Sequence, residues 1–295
     1  MKELTVISGK GGTGKTSITA SIASLAEKRV VIDADVDAAN LFLTLEHKVV
    51  ETESFEGGHK AEINPDICTC TGCGECFQRC QFDAISLNFT IDHISCEGCG
   101  VCAHFCPADA ISFERQICGE KFISTTANGP MVHARLGIAE ENSGLLVSQL
   151  RQRARQMAKE QHIPLIITDG PPGIGCPVIA SVSNADALLI VTEPTLSGMH
   201  DMQRVMKLGR QMNAAIYLCI NKADLNPEAS EKIKEFCGSN NIRFAGEIPF
   251  DKAVIESMRM GQSLVTYSDG AASHAVKKVW QNVSSFLGET RDRLI

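Results

Sequence analysis

The chain has 295 residues with 35 acidic against 28 basic side chains, a formal charge of −7, and 44% of it is hydrophobic. The acidic balance speaks against a broad nucleic-acid-binding surface, and no apolar run approaches the roughly 18 residues of a membrane span. The apolar content suffices for one large core, or one plus a small second domain, and the chain is expected to be cytoplasmic.

The first element is a strand, "LTVIS", that runs into "GKGGTGKT", Gly9 to Thr16. This loop satisfies two phosphate-binding patterns at once. Gly9, Gly11 and Gly14 form the G-x-G-x-x-G dinucleotide fingerprint, whereas Gly9 with Gly14, Lys15 and Thr16 forms the P-loop. A helix is predicted from about Lys15 to Lys28, then a strand, "RVVIDAD", that ends in Asp33 and Asp35. An acid at that distance would suit a dinucleotide ribose. Lys15 argues the other way: just inside a helix N-terminus it opposes the dipole by a few tenths to about 1 kcal/mol, which is reasonable only where a polyanion sits. On the P-loop reading, Gly11, Gly12 and Gly14 let backbone N–H groups approach the phosphates, with Thr13 and Ser17 in the same binding stretch. Lys15 would reach the β- and γ-phosphates and Thr16 would bind Mg2+.

Nine of the thirteen cysteines lie between Cys68 and Cys106 and interrupt the α/β pattern, which predicts an inserted domain at 61–112 between segments 1–60 and 113–295 of the main domain. The two runs, Cys70-x2-Cys73-x2-Cys76-x3-Cys80 and Cys96-x2-Cys99-x2-Cys102-x3-Cys106-Pro107, each match the bacterial ferredoxin spacing, in which the fourth thiolate serves the other cluster. The crossed rule predicts two [4Fe-4S] clusters, one on Cys70, Cys73, Cys76 and Cys106 and one on Cys80, Cys96, Cys99 and Cys102. Zinc is the competing reading, countered by eight cysteines in two identical runs with no His at ligand spacing. "AIS" follows both runs, as a pseudo-symmetric fold requires, and Gln81 stands where such runs usually carry proline. Cys68 falls outside the spacing and reads as a spare thiol or a local influence. Cys118 and Cys237 receive no role, and Cys219, inside "IYLCI", reads as a small core residue.

Beyond the insert, "RQRAR" reads as a solvated helix face, and "PLIITD", "ADALLIVTE" and "AAIYLCIN" are apolar strands alternating with helical stretches. That alternation predicts a parallel sheet covered on both faces. Asp169 ends the first of these strands and can hold magnesium through water. Cys176 follows the adjoining Gly/Pro loop. "NKAD", Asn221 to Asp224, reads as a base-recognition loop or as a polar turn. "FAGEIPFD" supplies another strand, and "HAVKKVWQNVSSFL" a closing helix with Val276, Val279, Val283 and Phe286 on its apolar face. The predicted fold class is α/β: a doubly wound, mostly parallel sheet of the P-loop NTPase type, with an inserted small α+β bacterial ferredoxin-like domain.

Lys10, a second lysine early in the loop, resembles that of the deviant Walker A in the ParA/MinD/Mrp and nitrogenase iron-protein class of ATPases. The likeness continues through "VVIDADVDAANL", "DGPPGIG", "VTEPTLSGMHD", "INKAD" and "GEIPFD", and with the insert it resembles MinD-superfamily ATPases that carry a ferredoxin domain. The resemblance implies two subunits closing face to face over two ATP molecules, with Lys10 reaching the partner's nucleotide. It implies that Asp35 orients the attacking water and Asp33 lies nearer the magnesium, though spacing alone does not separate these two. Asn221, with Asp224 in its loop, and the backbone near Pro249 would contact adenine. Switch loops are expected at about Asp35 to Asn40 and Asp169 to Cys176. The nitrogenase iron protein places a cluster cysteine shortly after its second switch, so Cys176 is either an extra cluster or metal ligand at the dimer interface or a thiol packed under the loop.

The implied function is a nucleotide-switched dimer that couples ATP hydrolysis to electron transfer through the two clusters. One alternative is assistance in metal or iron-sulfur cluster assembly, as in the Mrp branch, although the C-terminal C-x-x-C of that branch is missing. Another is a ParA- or MinD-like positioning ATPase, which the acidic balance and the polar tail "GETRDRLI" disfavour. Expected cofactors are ATP, Mg2+ and two [4Fe-4S] clusters. Expected partners are a second copy or a paralogous subunit, and a redox partner or metal-cofactor acceptor, with no nucleic acid and no membrane insertion.

Overall fold

The computed structural model describes residues 1–69, 72–137 and 144–288. The chain forms two compact units. One takes Met1–Glu53, Lys121–Arg135 and Asn142–Ile295, and the other takes Ser54–Glu120 and Leu136–Glu141. The expected insert, 61–112, falls inside the second unit.

In the first unit, β1 (Lys2–Ser8) leads through the glycine loop into α1 (Lys15–Leu25), which ends three residues before the predicted Lys28, and the chain continues into β2 (Arg29–Asp33). It passes into the second unit along β3 (His47–Ile63) and returns along β4 (Ile111–Thr126) to β5 (Gly129–Leu136). Then follow α4 (Leu145–Glu160), β6 (Leu165–Pro172), α5 (Cys176–Val182), β7 (Ala187–Thr192), α6 (Leu196–Gln211), β8 (Ala215–Asn221), α7 (Pro227–Ser239) and β9 (Arg243–Ile248). The short helices α8 (Ala253–Arg259) and α9 (Leu264–Tyr267) precede the long α10 (Ala271–Leu287). Within the second unit, α2 (Glu75–Arg79) and α3 (Val101–His104) each start from a glycine in the left-handed region, Gly74 and Gly100.

The strand order is β3-β4-β5-β2-β6-β1-β7-β8-β9, and the run from β5 through β9 is parallel. β2, β6 and β7 read as almost unbroken apolar runs because they are buried on both faces. One face packs under α1 and α10 through Ile18, Ile22, Val276, Val279, Trp280 and Val283. The other packs under α5, α6 and α7 through Val178, Val182, Val205 and Ile233. The apolar stripe of α10 differs from the predicted one: Trp280 and Leu287 complete it, while Phe286 is 40% exposed. Residues 276, 279, 280, 283 and 287 follow the helical repeat and leave Phe286 at the edge, where its ring meets Tyr217 and the Arg243 guanidinium.

The chain turns one way from β1 to β2 and later runs the other way through β7, β8 and β9. β1, flanked by β6 and β7, therefore sits where the order reverses. In open α/β sheets a ligand crevice opens at the carboxyl ends of strands at such a point, and the glycine loop follows β1 there.

The core of the second unit is built from the sequence repeat. Ala84 with Ile85 and Ala110 with Ile111 are buried, and Cys76, Cys80, Cys102 and Cys106 pack among Ile85, Ile91 and Ile111. Thiols thus form much of the apolar interior of this small unit.

Candidate functional site

β1 delivers the glycine loop to a cavity of about 620 Å3 lined by Gly11 to Ser17, Asp35, Asp37, Pro171, Asn221, Lys222, Pro249, Phe250, Ile255 and Met258, among others. Gly12 and Gly14 adopt φ of +78° and +84°, which side-chain-bearing residues rarely tolerate. A Cβ at Gly14 would collide with the Asn221 amide, and one at Gly9 with the backbone of Asp201. Gly11 and Gly12 face open space, so their backbone is free to approach a ligand. The Thr13 hydroxyl is buried without a hydrogen-bond partner. A buried donor left unpaired costs about 1–3 kcal/mol, and a phosphate oxygen at this loop would relieve it.

Lys15, the first residue of α1, is buried between two carboxylates, 3.1 Å from Asp169 Oδ1 and 3.2 Å from Asp35 Oδ2. Burial pulls its pKa down, but Asp169 and Asp35 outweigh it and hold the ammonium above its ordinary value. Thr16 Oγ1 donates to Asp169 Oδ2 at 2.6 Å, and Thr19 Oγ1 donates to Oδ1 at 2.8 Å. A hydroxyl of α1 beside a carboxylate within β6, which runs on past the expected end at Asp169 to Pro172, is a hard-oxygen pair of the kind magnesium takes, so the residues fit the ion.

The two acids separate cleanly: Asp33 ends β2 and Asp35 lies just beyond it. Asp33 is fully buried opposite Asp169 in the β2–β6 register, and its carboxylate accepts the N–H of Leu41 at 3.0 Å and of Asp35 at 3.3 Å. Burial, followed by the charge of Asp169, pushes its pKa up to about 8. Asp33, expected nearer the magnesium, is absent from the cavity lining, and its carboxylate ties down the loop through the N–H of residue 41. Asp35 is the acid that faces the cavity; burial raises its pKa, opposed by Lys15.

In the "NKAD" loop, Asn221 Nδ2 donates to Thr13 O at 2.7 Å, and its Oδ1 accepts the Lys222 N–H at 3.0 Å, so this side chain braces the phosphate loop. Asp224, expected in the base-contacting loop, accepts the Phe250 N–H at 2.6 Å, anchoring the Pro249–Phe250 wall of the cavity. Lys10 lies outside the cavity lining. Its Nζ is 3.3 Å from Glu193 Oε2 and 3.3 Å from Ser197 Oγ. The other oxygen of Glu193 holds Lys222 at 2.5 Å, and Lys222 Nζ reaches Gly12 O at 3.4 Å. Burial would raise the Glu193 carboxyl, but Lys222 and Lys10 prevail and hold it below the usual range. Sequence reasoning missed Glu193; the motif "VTEPTLSGMHD" contained it without marking it as the counterion of two loop lysines. Cys176 is exposed at the first turn of α5.

In the second unit, one cavity is lined by Cys68, Cys73, Cys76 and Cys106, and another by Cys80, Cys96, Cys99 and Cys102. Cys70 lies outside the described residues. Burial raises the pKa of Cys76 and Cys102, and neighbouring thiols add to the shift. Among the described residues no group of three or more His, Cys, Asp or Glu side chains converges closely enough for a single metal ion.

A family model described as the CobQ/CobB/MinD/ParA nucleotide binding domain matches residues 4–265. An uncharacterized protein of Methanocaldococcus jannaschii is 34% identical over 97% of this chain and 97% of its own length. The iron-sulfur cluster carrier protein of Pyrococcus abyssi is 24% identical over 98% of this chain and 88% of its own. Among solved structures, the septum site-determining protein MinD of Pyrococcus horikoshii, complexed with Mg-ADP, superposes with a TM-score of 0.59 at 18% identity, covering 97% of each chain. That likeness is one of fold.

Proposed function

Since this chain belongs to the CobQ/CobB/MinD/ParA family of nucleotide-binding domains and is an ATPase of the MinD/ParA type, we propose that it is a nucleotide-switched dimer whose ATP hydrolysis is coupled to electron transfer through two [4Fe-4S] clusters. The observation that carries the coupling is the pair of four-thiol cavities in the unit that interrupts the ATPase. A cubane asks each thiolate to meet its own iron around a shared cavity, and the donor set here is thiol only, so the residues fit the group. Cys73, Cys76 and Cys106, with Cys70, would hold one cluster, and Cys80, Cys96, Cys99 and Cys102 the other. When bound, each cluster supplies a one-electron redox centre.

At the nucleotide, Lys15 exchanges its two carboxylate partners for the β- and γ-phosphates, and Thr16 with Asp169 would hold magnesium. Asp35 orients the attacking water. Lys10, outside its own cavity, acts on the nucleotide of the partner subunit, where a cation stabilises charge developing in the transition state. Loss of the γ-phosphate releases the loops at 35–40 and 169–176. Cys176, exposed in the second of these, is proposed as an extra ligand at the dimer interface, tested by metal content after Cys176→Ala.

A second reading, assistance in metal or cluster assembly on a partner protein, is favoured by the full-length similarity to an iron-sulfur cluster carrier protein. Reduction potentials of the reconstituted clusters with ADP, with a nonhydrolysable ATP analogue and with neither discriminate the two. A nucleotide-dependent shift supports coupling. Potentials indifferent to nucleotide, together with transfer of iron to an acceptor, overturn it in favour of assembly. Lys15→Ala should lower ATP hydrolysis ~100-fold or more while leaving the iron content unchanged, and retained hydrolysis would remove Lys15 from the phosphate site.

A further inference from the structure

Two helices of the first unit, α4 and the short α5, are joined by charges that the sequence pattern concealed. "RQRAR", expected to be a solvated helix face, is not one: Arg151 is 3% exposed and Glu3, which it meets, is 6% exposed. Arg151 Nη2 donates to Glu3 Oε2 at 2.7 Å, and its Nη1 donates to Ala180 O at 2.6 Å. Arg155 donates to both oxygens of Glu3 and, at 3.4 Å, to Ser183 O. Two guanidinium groups thus share one carboxylate, and the surplus positive charge faces carbonyls at the C-terminal end of α5, the negative end of its dipole. At the start of α4, Gly144, at φ +90°, lets the chain approach Cys176 O, from which a Cβ would stand only 3.1 Å. α4 therefore meets α5 at both of its ends. α5 is seven residues, about 10 Å, long. Its first turn opens on the nucleotide cavity, whose lining takes in Pro171, Pro172, Gly175, Pro177 and Val178. What Arg151 holds at one end of α5 thus shapes the cavity wall at the other. Stability alone is a weak reason for this arrangement. Buried ion pairs can often be replaced by apolar side chains without loss, and Arg151 Nε is itself buried without a hydrogen-bond partner.

We propose that Arg151 is a positioning residue for ATP hydrolysis: it fixes α5, and with α5 the loop at 169–176 that must close on the γ-phosphate. The inference rests on the switch reading of that loop. Arg151 is absent from the cavity lining, and the glycine loop with Lys15 binds phosphate without it. Its removal therefore spares nucleotide binding and slows turnover. The fold survives the change, because Arg155 keeps Glu3 paired and Thr5 Oγ1 still donates to Ser181 O at 3.1 Å, holding α5 to β1. Arg155 is the control, since it shares the carboxylate but reaches α5 only through the longer bond to Ser183 O.

The test is steady-state ATP hydrolysis by the full-length chain and by Arg151→Met, Arg151→Lys and Arg155→Met, with the Tm of each. Amide hydrogen exchange over residues 173–183 is read alongside, with ADP and with a nonhydrolysable ATP analogue. Arg151→Met should lower kcat about tenfold while KM for ATP changes less than about twofold, because geometry at the reacting phosphate is lost and ground-state binding is not. Arg151→Lys keeps the charge but lacks the planar fork that bridges Glu3 and Ala180 O, so its kcat should fall in the same direction and less far. Arg155→Met should keep nearly the full kcat. An Arg151→Met kcat within about twofold of the unaltered chain overturns the proposal. A loss that follows Tm equally across the three variants overturns it as well, since that is the mark of a merely structural role. Should Arg151→Met fail to fold, Arg151→Lys carries the decision, and full kcat there overturns the proposal. An unaltered chain whose 173–183 amides exchange alike with ADP and with the analogue defeats the switch reading itself, a result distinct from any of these.

Discussion

Glu193 is the residue on which the state of the phosphate loop turns. It neutralises Lys10 and Lys222 together, and so keeps the lysine proposed to serve a partner's nucleotide engaged within its own subunit. A partly exposed ion pair is worth about 0–1 kcal/mol, so Glu193→Gln should tighten the proposed ATP-dependent dimer about two- to fivefold in sedimentation experiments. An unchanged association constant would show that Glu193 does not restrain Lys10. The glycines and Lys15 were legible as cavity-lining residues because phosphate chemistry dictates both residue type and spacing, whereas Lys10, singled out by resemblance, lies outside that lining. Glu193 was not legible, because its role comes from contact with residues far away in the chain. The split between Asp33 and Asp35 was illegible for a similar reason, since only the fold decides which of two neighbouring acids is buried. His133, which the sequence reading passed over, stacks between Phe42 and Phe122 with His47 edge-on. Burial, then the neighbouring His47, drives its pKa down to about 4. As pH falls below the ordinary histidine value, the unfolded chain takes a proton that the folded chain refuses, so stability is present above about pH 6.5 and is lost on acidification. The loss between pH 7 and pH 5 is about 2 kcal/mol for this group. His133→Phe should therefore show a shallower fall in Tm over that range than the unaltered chain, and parallel curves would refute the assignment.

At the scale of elements, α10 shows how far periodicity carries. The apolar repeat identified the helix and three of its buried valines, whereas the edge of the stripe depended on what lies opposite. Trp280 is buried in the core beneath α1 and Phe286 lies half in solvent against Arg243. Trp280→Ala is expected to cost about 3–5 kcal/mol in denaturant unfolding, and Phe286→Ala less than half of that. Equal costs would mean that the edge position is as well packed as the centre. The parallel strands were legible as short apolar runs because both of their faces are covered. β3 and β4 were not legible, although they are 17 and 16 residues long. Much of β3 is exposed, and its "HKVVETESFEGGHKAEI" carries charges and a glycine pair where a buried strand would carry valine or isoleucine. Sequence alone therefore set the edges of the insert too tightly, at 61–112, because the cysteines announce the second unit while the strands that enter and leave it announce nothing.

For the whole molecule, the decisive question is whether one chain completes its own active site. The cavity holds Lys15, Thr16 and Asp35, but Lys10 is turned away toward Glu193 and Ser197. If Lys10 serves only a partner, two defective chains can repair each other. A Lys10→Ala subunit retains Asp35 for its own nucleotide, and an Asp35→Ala subunit retains Lys10 to offer across the interface. Each variant alone forms dimers in which every site lacks one group. In an equal mixture, random pairing makes half the dimers hybrids, each with one complete site of two, so activity should recover to about a quarter of that of the unaltered protein. The recovery must vanish on dilution below the dissociation constant of the dimer, because it resides in the pair. A mixture no more active than the sum of its parts would place Lys10 in service of its own subunit, and the active site would then be complete within a single chain.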